Sequence, residues 1–317
     1  MKTHDYTLFL STTLKFEAIT RRTLPLLNSY FSRYPSRSCD FSIAGVMMWV
    51  DYYGYEVAEV KHTLFIRGID PESGVMLYYK PLGEMPEEEW RQLIAESIQQ
   101  GTTAKLLLPL ECDAEDQESL TGSVSTESAL MEYLYPIERF VGFAGKKMEK
   151  KRNHLNYFLK NYSDAVIEPV NERNIDELIA FTEDFANMHE DSTLALYENN
   201  KTIEALSDFA SYPFIGIAIR LNGKIIGYSF GEKSGDTFFV HVEKGDISYR
   251  GIYQALASNM SKVVNTAYPE VRYLNREEDM GNESLRKSKE SYHPTLFVNK
   301  RIENISAIYP QTLLRIA

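Results

Sequence analysis

Cysteine is nearly absent from this 317-residue chain, which has only Cys39 and Cys112. The two form no Cys-x-x-Cys pair, so neither a disulfide framework nor a cysteine-based zinc site is supported, and both read as reduced and structural. The six histidines include no His-Glu-x-x-His pattern, and no metal site is expected. Long apolar runs are missing too. The longest is Ile43 to Val50, far below the ~20 residues a membrane helix needs, and the chain start has no secretory apolar segment, so a cytoplasmic location is expected. GEKSGD lacks the Walker spacing and GNESLRKSKES lacks the dinucleotide fingerprint, which removes the usual support for an ATPase or a nicotinamide enzyme. No Gly-x-Ser-x-Gly elbow marks a covalent serine route.

What is present is an ordinary globular composition, 44% hydrophobic and 25% charged, long enough for two domains. Net charge is -11, but its distribution is uneven: -9 over residues 1–140, +5 over 141–162 and -7 over 163–317. The middle segment, GFAGKKMEKKRNHLNYFLKNY, packs Lys146, Lys147, Lys150, Lys151 and Arg152 ahead of Tyr157, Phe158 and Tyr162. It reads either as the solvated face of a connecting helix or as a phosphate-contacting element. Overall acidity argues against a protein that coats nucleic acid, but leaves room for one local cationic cradle.

Periodicity and turn signals predict the elements. A helix is expected over about Phe16 to Ser32, interrupted near Pro25. HTLFIRG and VMLYYKPLG around IDPESG predict a hairpin, Pro86 with Glu87, Glu88 and Glu89 opens a helix to about Gln100, and AKLLLPL reads as a buried strand. In the second half, Leu178, Phe181 and Phe185 recur at helical spacing, and a further helix is expected over Lys201 to Ser211. Two apolar runs flank Asn222-Gly223, the pattern of a tight hairpin, and TFFVHV, a helix carrying Ile252, Leu256, Met260 and Val264, and VRYLN follow. Asn282 is placed to cap a short helix, with HPTLFVNKRI as the last strand. This order occurs twice, predicting a mixed α/β (α+β) protein of two lobes.

Candidate chemistry gathers after the core strands. His241 and Glu243 share strand parity, so a regular strand would aim both at one face, where imidazole and carboxylate can exchange protons with an amine or hydroxyl. Tyr249, Arg250, Gly251 and Tyr253 lie at the start of a helix whose free N–H groups suit an anion. Arg276 is followed by three acids at a strand end, so it either orients a substrate carboxylate or pairs with Glu277 or Asp279. Arg286, Lys289 and Tyr292 follow at three-residue spacings on one helix face.

KKRNHLNYF, HVEKG with YRGIY, and YLNREEDMGNESLRKSKESYHP together resemble the DUF2156 family, related to the C-terminal catalytic domain of phosphatidylglycerol lysyltransferases; CDFSIAGVMMW and YYKPLG extend the likeness over nearly the whole chain. The resemblance implies two tandem acetyltransferase-like (GNAT-like) lobes, residues 1–145 and 146–317, with 141–162 as the basic junction. It implies transfer of an acyl or aminoacyl group to an amine or hydroxyl acceptor, which can be a small molecule, a peptide or a lipid headgroup. His241, Glu243, Arg250 and Arg276 would then be catalytic, and Lys147, Lys151, Arg152, Tyr249, Gly251, Tyr253, Arg286 and Lys289 would hold the donor. That donor is expected to be aminoacyl-tRNA, used as a substrate and not as a tightly bound cofactor. Acyl-CoA is the alternative, although the phosphate loop usual in coenzyme-A acetyltransferases is missing. No membrane-spanning portion precedes the domain, which favours a soluble or peripheral protein over one acting on a membrane lipid. The competing class is a non-catalytic binding protein that keeps the double fold.

Overall fold

The computed structural model describes residues 13–117, 128–189 and 193–307. Among them thirteen strands form one sheet whose two halves are built in the same order. In the first half, α1 (Leu24–Arg33) and α2 (Ile43–Tyr53) flank a short strand β1 (Glu17–Ala18) and the antiparallel run β2 (Glu56–Val60), β3 (Thr63–Ile69) and β4 (Met76–Tyr79). A two-residue strand β5 (Leu82–Gly83) pairs with β3, helix α3 (Glu87–Ser97) crosses over, and β6 (Thr103–Asp113) joins parallel to β4. In the second half β8 (Val166–Pro169), β9 (Ile215–Leu221), β10 (Lys224–Ser234) and β11 (Thr237–Gly245) are antiparallel. Helix α8 (Ile252–Ala267) crosses over, and β12 (Tyr273–Glu278) joins parallel to β11. A parallel neighbour requires such a crossover, and an amphipathic helix is the compact way to make it.

The centre of the sheet ties the halves together. β7 (Glu132–Pro136) lies beside β12, while β13 (Leu296–Ser306), the last described strand, runs antiparallel to β6 along eleven residue pairs from Leu296↔Asp113 to Ser306↔Thr103. β13 also pairs with β7. Each half therefore supplies a strand to the other, and the sheet is continuous across residues 145 and 146.

Both faces are covered. On one, α4 (Glu138–Gly142), α5 (Glu149–Asn161) and α8 bury Phe140, Phe143, Phe158, Leu256 and Met260 against β7, β9 and β12. On the other, α2, α6 (Ile175–His189) and α7 (Thr193–Ser207) bury Ala44, Leu178 and Leu206 against Tyr228, Phe230 and Val242. These side chains are 5% exposed or less, and each large one contributes on the order of 2 kcal/mol by leaving water.

Several elements depart from expectation for local reasons. α1 begins at Leu24, because Pro25 presets the first turn of a helix instead of interrupting one. α7 begins at Thr193 and ends at Ser207, earlier at both ends than the Lys201 to Ser211 expected. β7 and the apolar helix α2 carry no clear periodicity and were not anticipated. The Asn222-Gly223 hairpin forms as read, with both residues at positive φ (50° and 78°). Asn282 caps α9 (Glu283–Glu290) by accepting from the N–H groups of Ser284 and Leu285. Both cysteines are free and buried. Among the described residues no helix is long and apolar enough to cross a membrane.

Candidate functional site

The site forms where two neighbouring parallel strands part. The pairing of β11 with β12 runs from Thr237↔Tyr273 to Phe239↔Asn275, although β11 continues to Gly245 and β12 to Glu278. Both strands are irregular at that point. β11 has one extra residue, His241, opposite the Phe230/Gly231 step of β10, and β12 slips against β7 between Asn275 and Glu278, with Glu277 at φ 57°. Such bulges re-aim side chains.

The re-aiming overturns the shared face expected for His241 and Glu243. Alternation is broken at His241, so it points with Val242 toward the α2 side and lies 6.2 Å from the Phe214 ring. Glu243 points toward the α8 side and accepts from Arg276 Nη2 at 2.6 Å. The expected single cleft lined by His241, Glu243, Arg250 and Arg276 is thus divided by the sheet itself.

On the α2 side, His241 donates Nδ1–H to Glu277 (2.6 Å) and Nε2–H to Glu232 (3.1 Å). Burial works against its charge, but the Glu277 and Glu232 carboxylates outweigh burial and push its pKa up to about 9. The imidazole is therefore protonated near neutral pH and is not available there as a proton acceptor. Glu232 is fixed in turn by the Ala44 N–H at 2.6 Å.

On the α8 side, the Arg276 guanidinium lies 5.0 Å from the centre of the Tyr292 ring, and Lys151 Nζ sits 3.7 Å from the same ring. Tyr292 is held by Gln254 at 2.8 Å, and Lys151 donates to Ser291 Oγ at 2.6 Å. Burial, with Arg276 and Lys150 nearby, pulls the Lys151 pKa down to about 8. Burial raises Glu243 above the ordinary carboxylate range despite Arg276 and Lys289. Tyr253 is also beside Glu243, and burial raises its phenol. Lys289 braces the bulge by donating to the carbonyls of Arg276, Glu277 and Glu278.

The other expected donor-binding residues are spread more widely. Arg250 is exposed and stacks 4.6 Å from the centre of the Tyr157 ring on α5. Tyr249 meets Tyr162 edge-on. Gly251 is a packing residue: at φ 93°, its missing Cβ would stand 2.3 Å from the His154 carbonyl. Arg152 donates to the carbonyls of Phe143 and Gly145, so it ties down a turn. Lys147 is exposed just before α5. Arg286 donates two hydrogen bonds to Asp279, which also accepts from Tyr133 Oη at 2.6 Å. Arg276 pairs with Glu243, not with Glu277, which bonds His241, or with Asp279, which lies past the end of β12 and is held by Arg286.

Sequence reasoning missed a buried charged network behind the bulge. Lys300 on β13 is 2% exposed and reaches Glu278 (2.6 Å), Asp40 (2.8 Å) and Glu132 (3.2 Å). Glu132 also accepts from Ser38 Oγ, the Cys39 N–H and Asn275 Nδ2. Burial, only partly offset by Lys300, raises the Glu132 pKa to about 7. Ligand atoms of Cys39, Asp40 and Glu278 lie within 4.8 Å of one another. The Lys300 ammonium bonds two of these three groups, so the set already has a cation. The available signal was a lysine following Leu-Phe-Val-Asn in the buried first half of β13.

Solved structures share this architecture. A conserved protein of unknown function from Bacteroides thetaiotaomicron aligns at TM-score 0.79 and 26% identity, covering 93% of this chain and all of that one. The DUF2156 C-terminal domain assigned to a lysylphosphatidylglycerol synthetase of Agrobacterium fabrum aligns at 0.58 and 13% identity, covering 89% of this chain and 92% of that one. L-PGS of Bacillus licheniformis aligns at 0.57 and 12% identity, covering 91% and 93%. An uncharacterised protein of Mycoplasmoides gallisepticum is 30% identical over 179 residues, 55% of this chain, and that match spans 56% of its own length. The profile of the family described as phosphatidylglycerol lysyltransferase, C-terminal, matches residues 31–300, and the chain belongs to that family.

Proposed function

We propose that the protein transfers an acyl or aminoacyl group to an amine or hydroxyl acceptor, with aminoacyl-tRNA as donor and acyl-CoA as the alternative. Family membership supports a transfer reaction, and the parting of β11 and β12 carries the reading. Two bulged strands with a charged group aimed to each side give two reactants a place to meet through the sheet.

In the step proposed, the acceptor nitrogen or oxygen attacks the donor carbonyl carbon. The new C–N or C–O bond forms, the bond to the ribose oxygen or thiol sulfur breaks, and the leaving group gains the proton the acceptor loses. Glu243, raised by burial, is the proton carrier; Arg276 faces the negative charge developing on the carbonyl oxygen. His241 holds the bulge and stays protonated. The exposed Lys146, Lys147 and Lys150, together with Arg250 on Tyr157, offer phosphate contacts beside the α8 side of the gap.

We read the repeated strand order as two acetyltransferase-like lobes, residues 1–145 and 146–317, that exchange a strand. A cytoplasmic protein, peripheral to a membrane where its acceptor is a lipid headgroup, fits this reading. The test is a panel of charged tRNAs and acyl-CoAs with amine acceptors, following acceptor mass and release of uncharged tRNA or coenzyme A. Transfer from a charged tRNA is expected. Transfer from acyl-CoA alone moves the donor assignment to the alternative, and transfer from neither favours the binding-protein reading.

A further inference from the structure

A cavity of about 490 Å³ opens on the α2 side of the sheet, between α2 and α7. Its volume is in the range of small-molecule sites. Met47, Met48 and Ile203 give it an apolar floor, and Tyr212 and Phe214, stacked at 4.9 Å and 17°, form one wall. The mouth carries two cations, Arg21 and Lys201, and two acids, Asp51 and Glu204.

These charges are unevenly buried. The Lys201 side chain is 11% exposed, whereas its partners Asp51 and Glu204 are 67% and 63% exposed; Arg21, paired with Asp208 at 2.9 Å, is 68% exposed. Ion pairs with such exposed members contribute only about 0–1 kcal/mol, so a ligand can replace them at little cost. An alkyl carboxylate would satisfy Lys201 and Arg21 but face both acids. An alkylamine would do the reverse. A ligand with one group of each sign on an apolar body matches both pairs.

We propose that this cavity binds an apolar amino acid or short peptide with both termini free. The carboxylate meets Lys201 and Arg21, the ammonium meets Asp51 and Glu204, and the apolar side chain lies on Met47 and Met48 against the aromatic wall. The position matters for the rest of the molecule. Ala44, whose N–H holds Glu232, and Phe214, which touches His241, both line the cavity. A bound ligand is therefore one residue layer from the His241 bulge.

Calorimetric titration of the full chain without any acyl donor tests the assignment. The dipeptide Leu-Phe is expected to bind saturably at one site, and its N-acetylated, C-amidated form at least tenfold more weakly. Met47→Trp and Ser207→Trp, which fill the floor and the rim, are expected to abolish binding with the melting temperature retained; Ser207 is exposed and keeps the test open if the core variant misfolds. Equal affinity for the blocked peptide or for dodecanoate, no saturable binding, or binding retained in the folded filled variants would overturn it. The measurement needs no donor, so its failure is separate from failure of the transfer reading, which rests on Glu243 and Arg276.

Discussion

Arg276 and Glu277 are consecutive on β12 and so serve opposite faces of the sheet: Arg276 bonds Glu243 on the α8 side, and Glu277 bonds His241 on the α2 side, each at 2.6 Å. Their partners stand two residues apart on β11 and would share a face in a regular strand; the extra residue at His241 sends them to opposite faces, matching β12. Each face of the parted strands thus carries one ion pair between β11 and β12.

The His241 pair gives a pH dependence of defined sign. Its folded pKa, about 9, lies above the ordinary 6.5, so its stabilisation is complete below pH 6.5 and is lost as pH rises through 9. The loss is on the order of 3 kcal/mol. Denaturation of the wild type and of His241→Gln across that window should show their stability difference shrinking as pH rises. A histidine NMR signal from His241 that titrates below pH 7 would remove this account.

Lys151 should be the most reactive lysine of its segment. With a pKa of about 8, about half of it is neutral at pH 8, against about 0.4% of an ordinary lysine. Brief treatment with limiting acetic anhydride at pH 8, followed by peptide mapping, should modify Lys151 before Lys146, Lys147 and Lys150. Preference for those three exposed lysines would count against it.

Much of the fold was readable because its signals are local. The Asn222-Gly223 turn, the acidic start of α3 and the Asn282 cap each fix an element within a few residues. The placement of β13 beside β6 was not readable, because strand partners nearly two hundred residues apart leave no mark on local periodicity. The site residues were located in sequence, but parity assigned His241 and Glu243 to one face. Parity assumes a regular strand, and a bulge is set by neighbours such as Gly231, whose missing Cβ would stand 1.9 Å from the Phe239 carbonyl. The Lys300 network was invisible for the same reason as β13: its members come from four distant segments.

Lys300 should be essential to that network. Replacing a buried charge partner while leaving its acids in place typically costs about 3–5 kcal/mol. Lys300→Met should therefore lower unfolding stability by that order in denaturant titration. Adding Glu132→Gln to Lys300→Met should recover part of the loss, since one buried carboxylate is then removed. A double variant no more stable than Lys300→Met alone would show that the network is not coupled as the contacts indicate.

Glu243 and Arg276 separate a chemical role from a purely structural one. Each is the other's buried partner, so Glu243→Gln and Arg276→Gln should both destabilise the fold, while the double variant, with two neutral amides able to bond across the gap, should regain stability. A structural pair would regain function along with stability. Under the transfer reading, the double variant folds and still binds donor, yet its rate of transfer remains at least 100-fold below wild type, because neither the proton carrier nor the charge facing the carbonyl oxygen has been restored. Stability, donor binding and single-turnover transfer measured on all four proteins provide the comparison. A folded double variant that transfers at the wild-type rate would remove both residues from the mechanism and leave the pair as a brace between β11 and β12.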